Sequence, residues 1–355
     1  MTDRQTVRRW LSGLALALVA LTVVAGLAFP DSIAGTLLSL TTSGSTVSSA
    51  LRLSVPIVFA ALGGIFAEKS GVINIGLEGL LIISAFVGVA VTETLGPNGT
   101  TFAVGNIWFG FFAGVLASTL LALLFAVVCI EFRADQIIAG LAVWLIALGL
   151  APFAAKVLYG RPNTPGVGIF ANWSIPVLSG TPYFGEVLFD ASPTVFMMLV
   201  AVPLAWYVLN RTSFGAWVRA SGENPKALDT AGVNVSRVRY TAVLLSGVLS
   251  GIGGAALTLG TGTGNFVGGA TVNGRGFIAI VAYLFGNYNP FGAFGASFMF
   301  AGLNALQLRL QQAGLGVPER LIQTIPYVTV IVVLALVGRT RTPEAAGDHY
   351  ESGEE

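Results

Sequence analysis

The stretch GGIFAEKSGVINIGLEG, residues 63–79, gathers most of the groups in this chain whose types and spacing could do chemistry. Gly63, Lys69 and Ser70 fall close to the pattern of a phosphate-binding loop, in which backbone N–H groups wrap an anion. That loop requires glycine directly before the lysine, and here the position holds Glu68, whose carboxylate would repel phosphate. It should also follow a soluble β-strand, whereas Leu53–Phe66 is one apolar run. The stretch is therefore not expected to bind nucleotide. What it offers instead is an amide and a carboxylate, Asn74 and Glu78, four residues apart and so expected on one helix face.

Other routes to chemistry are narrow. A single cysteine, Cys129, permits neither an internal disulfide nor a cysteine-cluster metal site. The one histidine, His349, lies in a polar tail, so a histidine triad and a His-rich zinc site are both excluded, and no metal is expected. Gly251, Gly253 and Ala256 fit a dinucleotide-type spacing, but they sit inside an apolar span with no strand before it. They read as close helix packing, as do the pairs Gly247/Gly251 and Gly110/Gly114. A net charge of +1 gives no sign of a nucleic-acid partner.

The elements that must position these groups are set by composition. The chain is 54% hydrophobic and 10% charged, against about 25% charged for a typical soluble domain. Its mean hydropathy is +0.80. This is an all-α, polytopic membrane protein whose first partner is the lipid bilayer. A crossing helix takes about 20 mostly apolar residues, fewer where it is broken. About ten segments meet that measure: 10–29, 50–67, 75–92, 106–130, 137–158, 193–210, 240–260, 275–287, 291–308 and 321–338. The first could be a secretory signal, because Arg8 and Arg9 precede it and Gly26-Leu27-Ala28 resembles a cleavage site. Leu11–Phe29 is longer than the usual signal core of about 7–15 residues, which favours a retained anchor.

Orientation follows from lysine and arginine. With the N-terminus inside, 12 of the 18 lie on the cytoplasmic side, and an even span number puts both termini there. Residues 1–30 then form a cytoplasmic segment and the first transmembrane helix, 31–340 the transmembrane domain, and 341–355 a cytoplasmic tail. The tail from Pro343 is acidic, lacks Lys and Arg, and is expected to be disordered. Residues 159–192 form a long outer loop. Residues 211–239 form an inner one with seven charges. Within it SGENPKALDTAG, 221–232, predicts a short helix: Asn224 caps, Pro225 suits the first position and Gly232 ends it. Such a helix is either an ordinary surface element or a docking peg for a cytoplasmic partner.

Glu78 is the one carboxylate expected inside a span, where an ionised group is costly. It either faces a cavity with Asn74 or pairs with a cation and packs the bundle. Gly71 and Gly76 would let the backbone bend there. A second irregular stretch, GTGTGNFVGGATVNGRG at 260–276, has seven glycines in 17 residues. It is either a flexible outer loop or a broken segment lining a pathway, with Asn265 and Asn273 as candidate lining amides.

Together EKSGVINIGLEG, GENPKALDTAGVNVSRVRY and GNFVGGATVNGRGFIAIVAYLFGNYNPFGA resemble permease subunits of ATP-binding-cassette importers. The family is the one that includes branched-chain amino acid and ribose permeases, and the nearest branch is the nucleoside type. The resemblance runs from about residue 50 to 338; the first 30 residues and the tail have no counterpart. It implies a ten-helix fold of the vitamin B12 importer kind and half of a translocation pathway. It implies that Gly222-Glu223-Asn224-Pro225-Lys226-Ala227-Leu228-Asp229-Thr230-Ala231-Gly232 is the coupling helix, seated in a separate cytoplasmic ATPase that holds the ATP and magnesium. Residues 68–79 and the turn Arg133-Ala134-Asp135-Gln136 would form parts of a cytoplasmic gate. The remaining implied partners are a second permease, a paralogue in a heterodimer, and an extracellular basic-membrane-protein-like binding lipoprotein. Branched-chain amino acids or sugars are the alternative cargo. An ion-driven secondary transporter would show inverted repeats and midplane carboxylates, and no second copy of the 63–79 pattern is found. The absence of a usable His or Cys cluster argues against most versions of a membrane enzyme.

Overall fold

The structure, a computed structural model, describes residues 20, 21, 23–101, 104–312, 324 and 341–351. It is built from helices: α1 Ile33–Thr42, α2 Gly44–Lys69, α3 Leu77–Leu95, α4 Asn106–Ala126, α5 Gln136–Tyr159 and α6 Pro193–Arg211. There follow α7 Ser213–Glu223, α8 Pro225–Thr230, α9 Val235–Leu259, α10 Arg275–Phe285 and α11 Pro290–Gln312. A π turn, Val127–Glu131, prolongs α4. The strands are two-residue pairs, Thr100–Thr101 with Val104–Gly105 and Trp173–Ser174 with Asp190–Ala191.

Among the described residues seven helices are long and apolar enough to cross a bilayer: α2, α3, α4 with its π turn, α5, α6, α9 and α11. Each matches an expected span. The expected span 275–287 is shorter than read. α10 has 11 residues and covers about 16 Å, half of a hydrocarbon core of about 30 Å. Of the expected span 10–29, residues 20, 21 and 23–28 are helical and the rest lie outside the described residues; so does 321–338 apart from Thr324. Two helices fall between the apolar windows and escaped the hydropathy reading. α1 starts where Ser32 Oγ accepts from Gly35 N at 3.1 Å. α7 starts where Thr212 Oγ1 accepts from Gly215 N at 3.1 Å.

The chain divides into two compact units. One comprises residues up to Leu53, Trp173–Ala191 and Phe298–Thr340; its described part holds α1, the paired strands 173–174 and 190–191, and the flanking parts of α2 and α11. The other comprises Ser54–Asn172, Ser192–Ser297 and Arg341–Glu355. Its core is α3, α4 and α9, brought close by small residues. A Cβ on Gly251 would stand 2.8 Å from Val115 Cα, and one on Gly114 would stand 2.6 Å from Ser84 O. The glycine pairs thus pack helix against helix, as read from their spacing. Hydroxyls tie the same surfaces: Ser84 donates to Gly251 O at 2.5 Å, Ser118 to Gly247 O at 2.9 Å and Thr258 to Ala85 O at 2.9 Å. The outer faces are apolar, with Phe112, Leu116 and Leu120 on α4, Leu145 and Phe153 on α5, and Val200 and Leu204 on α6 all exposed, as suits lipid.

Candidate functional site

α2 is helical through Lys69, so the near match to a phosphate loop is a helix end with no cradle of amides. Leu77, where α3 begins, lies against Gly64. That contact is five residues, or about 7 Å, short of the end of α2. Residues 70–76 therefore turn back into the bundle before the next helix starts. Asn74 is 1% exposed. Its Nδ2 donates to Ser246 Oγ at 3.2 Å and its Oδ1 accepts from Gly76 N at 3.0 Å. This corrects the expectation that Asn74 and Glu78 share a helix face. The amide closes a local turn with the backbone two residues on, which competes with the helix and delays it to Leu77.

Glu78 stands in the first turn of α3 and is 3% exposed. Its carboxylate accepts from Gly274 N at 2.8 Å and from Gly276 N at 2.6 Å. These are the free amides at the start of α10, where the helix dipole favours an anion. Glu78 is thus an N-cap supplied from another helix, an arrangement that neither sequence alternative contained. The neighbouring Arg275 donates through Nη1 to Thr271 O at 2.9 Å and Val272 O at 3.0 Å. Gly276 is required by the close approach: a Cβ there would overlap the backbone N of Glu78.

The glycine-rich stretch 260–276 is a broken segment and not a free loop. It starts against Thr164, whose Oγ1 accepts from Gly264 N at 2.9 Å. Phe266 then meets Phe86 edge-on, with centroids 5.4 Å apart. Gly269 faces Ile82, and Gly274 and Gly276 reach Glu78. Phe86, Ile82 and Glu78 are successive turns of α3, so the chain runs back along that helix for about 12 Å before α10 begins. Asn265 and Asn273 lie at the two ends of this run, both exposed. Asn265 Oδ1 accepts from Val267 N at 3.1 Å, and Asn273 has φ +50.

Asp135 caps α5, its Oδ1 accepting from Ile137 N and Ile138 N at 2.9 Å each. Gln136, 4% exposed, accepts from Ile73 N at 2.7 Å through Oε1. The two stretches read as one gate therefore meet at Gln136 and not at Asp135. The short helix forms as expected in its middle: Asn224 Oδ1 accepts from Ala227 N at 3.0 Å, and Pro225 takes the first position. Its bounds are narrower. Gly222 and Glu223 complete α7, and Ala231 and Gly232 follow the last helical residue, Thr230. Leu228 is buried, while Lys226, Ala227 and Thr230 are exposed. α7 abuts the returning loop: Ser221 Oγ donates to Ser70 O at 2.8 Å, and a Cβ on Gly222 would overlap Lys69 O.

Two features went unread in the sequence. Glu68, used there only to exclude phosphate, accepts from Tyr283 OH at 2.6 Å and Tyr288 OH at 2.7 Å. Lys69 Nζ lies 5.5 Å from the Tyr288 ring centroid. Burial, and then the Glu68 carboxylate, push the Tyr288 phenol above its usual range. The signal was present as two tyrosines in YLFGNYN, 283–289, but nothing local links them to residue 68. The second is the tail. Residues 341–351 pack on the second unit, with Pro343 and Ala345 buried, which corrects the expectation of disorder over those residues.

A family model described as branched-chain amino acid transport system, permease component, matches residues 46–336. The chain is 38% identical over 308 residues to the nucleoside ABC transporter permease protein NupC of Lactococcus lactis subsp. cremoris, covering 86% of this chain and 96% of the relative. It is 35% identical over 312 residues to the guanosine ABC transporter permease protein NupQ of Bacillus subtilis, with the same 86% and 96% coverage. It is 32% identical over 311 residues to the putative glucose ABC transporter permease protein TsgC13 of Haloferax volcanii, covering 81% and 90%. No solved structure matches the chain.

Proposed function

The chain belongs to the family of branched-chain amino acid transport system permease components, and we propose that it is the membrane subunit of an ATP-binding-cassette importer for nucleosides. The observation that carries this reading is the near full-length likeness to relatives named for nucleoside and guanosine, at 38% and 35% identity. The fold is proposed to be the ten-helix vitamin B12 importer kind, with both termini cytoplasmic. A paralogous permease would complete the pathway, a binding lipoprotein would deliver solute outside, and the ATP and magnesium would sit on a cytoplasmic ATPase.

In this reading α8 is the coupling helix. Leu228 anchors it and the exposed Lys226, Ala227 and Thr230 face the ATPase. The returning loop 70–76, Gln136 and the broken segment 260–276 form the moving parts of the pathway, with Asn74, Glu78, Asp135, Asn265 and Asn273 at its joints. Support comes from the direct contact of α7 with the loop through Ser221 and Gly222, which gives α8 a short mechanical route to it. A glycine-rich segment held by a carboxylate at one end and by Thr164 at the other can take two arrangements without breaking a helix.

Uptake of labelled nucleosides should be lost in cells lacking this subunit and restored by its return. A sugar importer is the second reading, favoured by the Haloferax relative. Undisturbed nucleoside uptake together with lost glucose uptake would establish that reading instead.

A further inference from the structure

The C-terminal residues 341–351 contact more of the second unit than a solvated tail would. Ala345 N donates to Gly222 O at 2.8 Å, and Gly347 N donates to Gly71 O at 3.0 Å. Gly222 O belongs to the last turn of α7, where carbonyls lack a partner within the helix. Gly71 is the bend of the returning loop, at φ +95, a region that glycine holds without strain. Two donors two residues apart thus bridge the end of α7 to that loop. Further along, Asp348 O accepts from Arg239 Nη1 at 2.7 Å, and Tyr350 OH donates to Asp229 Oδ2 at 2.9 Å on α8. Glu351 pairs with Arg133 ahead of α5. At the other end Arg341 N donates to Asn287 Oδ1 at 3.1 Å.

We infer that this tail is a coupling strut, which ties α8 and the end of α7 to the returning loop so that they move as one piece. The inference rests on the reading of α8 as the ATPase docking helix. A releasable latch would be held by exposed side chains; here the central contacts are backbone to backbone, made by Ala345 and Gly347 just after the buried Pro343. Arg239 argues the same way. It is 4% exposed, and among the described residues its Nε and Nη2 have no hydrogen-bond partner, so the tail carbonyl is the acceptor this buried cation has. Withdrawing the tail takes from Arg239 the acceptor it has. The same guanidinium presses on the loop: a Cβ on Gly71 would stand 2.9 Å from Nη2.

The test uses the assembled transporter in lipid vesicles, measuring nucleoside carried per ATP hydrolysed. A chain ending at Arg341 should still assemble and hydrolyse ATP, while the ratio falls about 5-fold or more, the low end of an ordinary coupling free energy. If that chain does not assemble, the double variant Tyr350→Phe, Glu351→Gln decides, and its ratio should fall in the same direction. Two results would overturn the strut: an unchanged ratio in the tail variants, or a raised transport rate on truncation. Failure of the docking-helix reading looks different, since Ala227→Pro would then leave uptake normal whatever the tail variants do.

Discussion

Replacing Glu78 by leucine takes away both acceptors, leaving Gly276 N buried and Gly274 N half-buried against α3. A buried donor left without a partner costs about 1–3 kcal/mol, which Gly276 N bears in full and the half-buried Gly274 N in part. Glutamine is milder. Its Oε1 still accepts one amide, but its Nε2 is a donor set against a donor and the charge assistance is gone, which predicts roughly half the loss. The loss is local before it is global, because what the carboxylate holds is the entry of a helix of 11 residues at the end of a glycine-rich run. Amide exchange at Gly274 and Gly276, followed by mass spectrometry in detergent, is the direct assay. An opening eased by about 2 kcal/mol speeds exchange about 30-fold. Labelling of the buried thiol of Cys129 reports global unfolding in the same samples. Nucleoside uptake should fall in the same order, leucine below glutamine. Unchanged exchange at both amides in Glu78→Leu would refute the cap. Equal losses for glutamine and leucine would refute the reasoning that an acceptor, and not charge alone, holds the segment.

Gly276→Ala should destabilise by about 1–3 kcal/mol, since the added methyl overlaps the backbone of Glu78; thermal unfolding of the purified chain measures it. Ala227→Pro removes the N–H that Asn224 Oδ1 accepts, a cap worth about 0.5–2 kcal/mol, and drives Lys226 out of the helical region, so it should abolish uptake while the chain remains in the membrane. Reporters active only outside should be silent at Thr2 and Glu355 and active at Asn172; a surface signal from either terminus would reverse the orientation.

The long helices were legible because their apolar runs match the bilayer, and so was the Asn224 cap, because it acts within its own turn; the Asp135 cap was not read, although it is just as local. The failures have separate causes. Asn74 lies four residues from Glu78, which reads as a helix face, but its side chain bonds Gly76 N and keeps the backbone out of the helix. Glu78 meets amides 196 and 198 positions away, and Glu68 meets phenols 215 and 220 away. No periodicity encodes such pairs. The tail misled through composition: acidity and the lack of Lys and Arg describe a solvated segment, whereas its central contacts are made by peptide N–H groups, which composition does not see.

If Glu68 and Glu78 stand along the pathway as proposed, the bonds they make bear on the cargo. An amino acid entering such a pathway brings an ammonium group that needs an anionic or carbonyl partner in a place without water. Glu78 gives both oxygens to backbone amides, and Glu68 gives both to tyrosines. Neither carboxylate can turn to an ammonium without abandoning a buried donor, a loss of about 1–3 kcal/mol for each bond broken. A neutral solute makes no such demand and is met by amides, hydroxyls and aromatic faces. Nucleosides and sugars are set apart from amino acids in this way but not from each other; the relatives favour nucleosides. Labelled nucleoside uptake should therefore yield to excess unlabelled nucleoside and be indifferent to the same excess of leucine. Glu78→Gln should lower the rate without changing that preference, because the carboxylate holds the segment and not the solute. Competition by leucine in the unmodified protein, or its appearance or loss on Glu78→Gln, would mean that the carboxylate faces the cargo and that its bonds to Gly274 and Gly276 open during transport.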